Sequence, residues 1–231
     1  MRGIKFNNKH SIKDFNIYVS ELDTSPPTKN KIKESIPFMN GAYDFSELYG
    51  ANTFKERSLK YTFELLEDSP LKLNILKTQI ENWLLGCGKC ELYDDAIPGF
   101  YFLAECTNID ESDDRYKSVL SVEFTAYPFK IGEHYEGNNL WDTFNFELDV
   151  LQDTKFTVSG VSNVSIYNSS IIDIEPEIIA SSQFEITLDN KKYVVEAGTS
   201  KDYRFKFKKG SNNLTLKGNG TIEFRFRKEV L

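Results

Sequence analysis

The side chains able to do chemistry are few. Cys87-Gly88-Lys89-Cys90 has the spacing of a dithiol redox pair, and Cys106 is the third of three cysteines. A reactive thiolate is favoured at a helix N-terminus, where the aligned peptide dipoles stabilise negative charge. Here the pair follows the C-terminal end of a helical pattern, where the dipole opposes ionisation, so thiols flanking a turn are the simpler reading. A structural zinc site needs four ligands, and only Cys106 and two distant histidines, His10 and His134, remain. Both histidines fall in turn or linker composition, read as solvent-exposed, and lie near no serine or cysteine in a hydrolytic arrangement.

The acidic groups are equally unspecific. Asp94-Asp95 and the run Asp110–Asp114 offer oxygens to calcium, but the run lacks the alternate spacing, glycine bend and terminal glutamate of a calcium loop. It reads as a solvated turn. Glycosidase carboxylates meet only in the fold, and no spacing singles out a pair. The expectation is a non-enzymatic protein with no cofactor and no metal. In the last third, Arg204, Lys206 and Lys208 alternate along one strand pattern and Arg225 and Arg227 along another. The solvated side of a sheet is the simpler reading. A docking face for an acidic partner, or a sugar-binding surface with Trp141, Tyr193 and Tyr203, is the other.

The elements that must carry these residues are clearest between Tyr43 and Gly86. Leu59, Tyr61, Phe63 and Leu65 alternate with Lys60, Thr62 and Glu64, the period of a strand with one wet face. Ser69 then reads as an N-cap, Pro70 as the first helical residue and Gly86 as the stop. Leu73, Leu76, Ile80, Trp83 and Leu84 form the inner stripe of the helix between them, leaving Lys72, Lys77 and Glu81 outside.

The chain has 231 residues, enough for one large or two modest domains, and its 18 Phe and 12 Tyr favour β structure. With 28 basic against 35 acidic side chains, its net charge of −7 argues against a surface built to hold nucleic-acid phosphates. No apolar run is long enough to span a membrane or act as a signal core, so a soluble protein made in the cytoplasm is expected. An odd cysteine number argues against a disulfide framework.

In order, Ile4 and Phe6 suggest a strand, Asn7–His10 a turn, and Phe15, Ile17 and Val19 the second strand of a hairpin. Glu21–Glu34 contains Pro26-Pro27 among polar residues and reads as a projecting arm, with Pro26, Pro27, Lys29 and Lys31 as candidate assembly residues. Ile36–Gly41 reads as a turn entering the central stretch. After the helix come strands at Lys89–Tyr93 and Phe100–Cys106, then one placing Leu120, Val122, Phe124 and Ala126 inward. An N-terminal domain of antiparallel sheet with one packed helix is therefore expected over residues 1–132. The boundary is placed in the polar Gly132–Asn139. Residues 140–231 show only short strands, separated by turns at Asp189-Asn190, Gly210–Asn213 and Gly218-Asn219-Gly220, and read as a β-sandwich.

The order Ile36-Pro37-Phe38-Met39-Asn40-Gly41, Tyr43-Asp44-Phe45, Tyr49-Gly50, and Arg57 leading into Leu59-Lys60-Tyr61-Thr62-Phe63 resembles the N-terminal domain of distal tail proteins (Dit) of long-tailed phages infecting Gram-positive bacteria. Gly3–Ser11 is similar to the opening of that family. The resemblance covers about residues 1 to 130. It implies a structural protein of the virion tail tip or baseplate, assembled in the host cytoplasm. Such a protein forms a homohexameric ring that joins the tail tube protein to the tail-tip hub protein and lets DNA pass without specific binding. It also implies a C-terminal sandwich of galectin-like type, in some phages an attachment point for a receptor-binding protein. The other function class is a carbohydrate-binding or host-adhesion module acting through the C-terminal sandwich.

Overall fold

The structure, a computed structural model, describes residues 2–48, 50, 52–138 and 150–231. Tyr49, Asn139 and Trp141, which the sequence reading uses, lie outside the described residues. The chain divides into a unit ending at Lys130 and a second running from Ile131 to Val230.

In chain order the first unit contains β1 (Ile4–Phe6), β2 (Lys9–His10), α1 (Ser11–Phe15), β3 (Val19–Thr24), β4 (Lys33–Glu34), β5 (Tyr43–Asp44), β6 (Arg57–Leu66), α2 (Pro70–Leu85), β7 (Cys90–Asp94), β8 (Phe100–Asp113) and β9 (Lys117–Ala126). Its main sheet runs β2-β1-β7-β8-β9-β6-β3, antiparallel throughout. β6 and β9 pair from Arg57↔Ala126 to Leu66↔Lys117, so Leu59, Tyr61, Phe63 and Leu65 meet Leu120, Val122, Phe124 and Ala126 on the same buried face. The strand alternation therefore reads the core correctly.

α2 packs on that face through Leu73, Ile80, Trp83 and Leu84. Trp83 Nε1 donates to the Phe6 carbonyl at 2.7 Å, and Phe15 stacks on its indole at 4.8 Å. Three local expectations change. Ser69 stands at the N-cap without a side-chain cap bond, so Pro70 and packing define that end. Gly86 ends the helix in right-handed geometry. A Cβ there would lie 2.3 Å from the Asn82 carbonyl oxygen, so close approach selects the glycine. Lys77 is not on the wet side: its stem is buried and its ammonium pairs with Glu111 and, at 2.8 Å, with Asp113. A long lysine can bury its stem on apolar surface while keeping its head with charge partners.

The N-terminal hairpin also changes. Asn7 and Asn8 make its turn with φ of 45° and 62°, as a two-residue connection requires. The residues after it form α1, with His10 as N-cap, its Nδ1 accepting from the Ile12 N–H at 3.1 Å. His10 and His134 are half-buried, not exposed.

The second unit is all β: β10 (Lys130–Gly132), which starts on the last residue of the first unit, β11 (Lys155–Asn168), β12 (Glu177–Ala180), β13 (Phe184–Leu188), β14 (Lys191–Val195), β15 (Gly198–Ser200), β16 (Gly210–Arg225) and β17 (Glu229–Val230). β10 pairs with β17. β11 lies along β16 without interruption from Lys155↔Glu223 to Asn168↔Gly210. On its other edge β16 pairs first with β13, up to Gly218, and then with β12, from Ile222. The expected turns at Gly210–Asn213 and Gly218–Gly220 are thus inside one long strand, which changes partner at the second. A Cβ on Gly218 would sit 2.6 Å from the Phe184 ring, so glycine allows that close passage. The core gathers Val158, Ile166, Ile178, Phe184, Ile186, Leu214, Leu216, Ile222 and Phe224 with Phe205 and Phe207. Phe205 and Phe207 do not belong to a regular strand; Phe207 makes an isolated bridge to Ile174.

Candidate functional site

The arm is larger than the sequence suggests, and its start is corrected. Glu21–Thr24 belongs to β3, in register with Leu59–Thr62 of β6. The excursion begins at Ser25 and returns at Glu56. It is closed along its length by backbone bonds: Lys55 N to Thr28 O (2.9 Å), Asn30 N to Thr53 O (2.8 Å) and Phe45 N to Ile32 O (2.8 Å). The β4–β5 pair, Lys33↔Asp44 and Glu34↔Tyr43, continues the ladder. Ile36–Gly41 is therefore the far turn and not an entry to the central strand, with Met39 N bonded to Ile36 O at 3.1 Å.

The arm's surface is unusual for so acidic a chain. Ile32, Ile36, Phe38, Tyr43, Phe45 and Leu48 are all exposed, and Phe38, at φ 69°, holds its ring wholly in solvent. Two-stranded ribbons are at best marginal by themselves, and contiguous exposed apolar side chains mark contact surfaces. Of the candidate arm residues, Pro26 is exposed and Pro27 half-buried at its root. Lys29 bridges Phe54, and Lys31 reaches Asp44 at 3.3 Å. The missed apolar half, Ile32 to Leu48, carried a legible signal: apolar residues among turn formers with no partner of matching period.

A local turn holds the two sides together. Asp44 Oδ1 accepts from the Ser46 N–H at 3.0 Å, and Ser46 Oγ accepts from the Ile32 N–H at 2.9 Å. Bonds from the Ser46 side chain and backbone, then Lys31, lower the Asp44 pKa from 3.8 to about 2. A carboxyl held below its ordinary value favours the folded turn fully above pH 3.8 and loses that support as pH falls through about 2. An NMR titration of the Ser46 amide should therefore report Asp44 at about 2, and Ser46→Ala should move it back toward 3.8. A wild-type titration at the ordinary value would show that Asp44 and Ser46 do not hold this turn.

At the sheet end of β7, Asp94 is buried and its oxygens are engaged. Arg2 donates to both (2.9 and 2.5 Å), Tyr61 Oη to Oδ2 (3.1 Å) and the Ala96 N–H to Oδ1 (2.9 Å). Burial, then the Asp94 charge, raises the Tyr61 pKa. Asp95 accepts from the Gly3 N–H and faces His10 Nε2 at 3.2 Å. These carboxylates fasten the chain's start to the sheet. The acidic run is not a free turn either, because Asp110–Asp113 completes β8. The three cysteines are free thiols grouped against the core. Burial, and next the bond with Cys90, pushes Cys87 up to about 12, and burial pushes Cys106 up to about 11. Such thiols are poor nucleophiles at neutral pH.

The basic candidates of the second unit are spread and paired. Arg204 meets Asp202 at 2.7 Å, Lys206 meets Glu175 at 2.9 Å, Lys208 meets Asp189 at 2.6 Å, and Arg225 meets Glu223 at 2.6 Å. Arg227 donates to the Gly132 and Glu133 carbonyls and lies over the Tyr135 ring. Arg204 and Asp202 line an open cleft of about 520 Å³ with Lys191, Lys192, Tyr193 and Val194. Tyr203 is exposed beside Arg204. Among the described residues no helix is long and apolar enough to cross a membrane.

No protein-family model matches the chain, and no curated protein sequence matches it. Its architecture nevertheless has a solved counterpart. The crystal structure of the SPP1 Dit protein, a paradigm of the hub adsorption apparatus in Gram-positive-infecting phages, aligns over 100% of both chains with a TM-score of 0.66 at 12% identity. The phage P2 baseplate in its calcium-activated conformation aligns over 100% of this chain and 98% of that one, with a TM-score of 0.45 at 8% identity. The fold resembles that of a solved phage hub protein. In particular, the mainly β architecture described above is shared with SPP1 Dit over the whole chain.

Proposed function

We propose that this chain is a non-enzymatic structural protein of a phage tail tip. It forms a homohexameric ring between the tail tube protein and the tail-tip hub protein, through which DNA passes without specific binding. The observation that carries the reading is the Ser25–Glu56 arm, a zippered ribbon whose apolar side chains have no core of their own. A ring of identical heterologous contacts gives each copy one arm to extend and one surface to receive it. The shared Dit fold supports the tail-tip setting, assembly in the host cytoplasm, and contact with a receptor-binding protein.

The test is mass. Purified protein followed by light scattering over a concentration series should approach about 160 kDa, six copies of a 26.6 kDa chain. Replacing Ser25–Glu56 by a short Gly/Ser linker should leave both cores folded, by a retained cooperative urea transition, and reduce the mass to that of one chain. An arm-deleted protein that still forms the ring would overturn the role given to the arm.

A second reading draws on the cleft at Lys191, Lys192, Tyr193 and Arg204. With exposed Tyr203 it offers an aromatic face beside hydrogen-bond donors, the chemistry of a saccharide or of a docked acidic segment. Lys206, Lys208, Arg225 and Arg227 would serve such a partner only by exchanging their present acceptors. Glycan-array binding by the full chain, lost in Tyr203→Ala, is its expected signature.

A further inference from the structure

α2 turns an unusual face to solvent. Opposite the stripe that enters the core, Leu71, Ile75, Thr78, Asn82 and Leu85 follow one another at steps of four and three, and all five are exposed. The wet side of a surface helix ordinarily carries charge, and this line carries none; Lys72 stands at its edge, held by Asp68 at 2.9 Å. Leu66, the last residue of β6, and Tyr116, just before β9, add two exposed apolar side chains at the helix's approach, where the Glu67 N–H bonds to the Tyr116 carbonyl at 3.1 Å. Exposed apolar side chains gathered in this way mark contact surfaces.

The arm offers the matching half. Its far turn, residues 36–39, puts Phe38 in the third position at φ 69°, a place that turns ordinarily give to Gly or Asn, and the ring stands in solvent. Backbone strain carried by an aromatic wholly in solvent points to a contact outside its own chain. No charge interrupts residues 35–43. From Ile32 to Phe38 the chain spans up to roughly 20 Å when extended, and from Leu71 to Leu85 the helix rises roughly 20 Å. Charge agrees at the margins. Among the described residues Lys29 and Lys33 of the arm hold no ion pair, and neither does Glu67 at the helix's approach.

We propose that the outer face of α2 receives the arm of a second copy of this chain, the arm's lysines toward Glu67 and its tip along the line from Leu71 to Leu85. This rests on the ring reading above and names the surface on which the arm is received. Both faces belong to the first unit and both stay exposed in one chain, so neither covers the other. A second copy supplies the cover. Because donor and receiver are different surfaces, the contact runs head to tail, as a closed ring requires.

The experiment is sedimentation velocity on the full chain over a concentration series, with wild type, Phe38→Asn and Ile75→Glu. Both positions are exposed; asparagine suits the left-handed backbone and glutamate the helix, so urea unfolding of dilute protein should stay cooperative in both. Association is expected to weaken at least about tenfold in each variant, as for loss of an interface anchor. Ile75→Glu keeps the arm and Phe38→Asn keeps the receiving helix, so their equimolar mixture should form pairs but no closed ring. Ile75→Glu that associates like wild type would overturn α2 as the receiving face and leave the ring reading standing. Weakened Ile75→Glu beside an unaffected Phe38→Asn, or a mixture that recovers no pairs, would overturn the arm as occupant. A wild type that stays monomeric throughout would overturn this contact and the ring reading together.

Discussion

Phe63→Ala is expected to lower unfolding free energy by about 3–5 kcal/mol, the range for truncating a buried aromatic. Phe63 is fully buried in β6, a central strand, between Val19 of β3 and Leu120 of β9 in register. Central strands cannot shift to fill the void without breaking ladder bonds on both edges, so the cavity should persist. Against a typical stability of about 5–15 kcal/mol, one such change removes a large share. Urea unfolding of dilute protein, followed by tryptophan fluorescence, measures it through Trp83 of the same core. A loss below about 1 kcal/mol would mean that this face of β6 is not the packed one.

The second large effect is expected at Asp94. Asp94→Ala should cost about 3 kcal/mol, because it leaves buried donors without an acceptor. Arg2 retains 30% side-chain exposure and can turn toward water; the Tyr61 hydroxyl, in a fully buried residue, cannot. The loss therefore concentrates on Tyr61. In an Asp94→Ala background, Tyr61→Phe should recover part of that loss by removing the stranded hydroxyl, whereas alone it should cost about 1 kcal/mol. Strict additivity of the two losses would show that the hydroxyl and carboxylate are not coupled.

How much of this was legible in the sequence depends on whether the signal was local. The β6 face, the α2 stripe and the β9 face were readable because period and burial coincide within one element. The far end of the arm was not, because β4 and β5 are two residues each and are defined only by pairing with one another. Reading Pro26-Pro27 as the arm's centre placed it too early, since proline marks where a strand stops and not how far the chain travels before it returns. Lys77 was assigned to solvent by helical spacing alone. Its partners Glu111 and Asp113 lie on β8, which passes the helix only in the fold. Gly218 looked like a turn because turn chemistry and a close approach to Phe184 select the same residue.

The candidate sites divide in the same way. Arg204, Lys206 and Lys208 were correctly placed on the exposed side of their segment, since alternation against Phe205 and Phe207 is local. That Lys206 and Lys208 already hold acids from distant segments, Glu175 and Asp189, was not visible. By itself, the sequence determined the mainly β class, the composition of the N-terminal core, the presence of a projecting segment and the absence of a contiguous catalytic motif. Only the tertiary structure decided where the arm begins and ends, and that Lys77 is buried against Glu111 and Asp113 while the Arg57 Nε and Nη1 are buried without a partner. Hydrophobic periodicity is written residue by residue along the chain. Charge compensation depends on which residues are brought within a few ångströms across strands, and no single stretch of sequence records that.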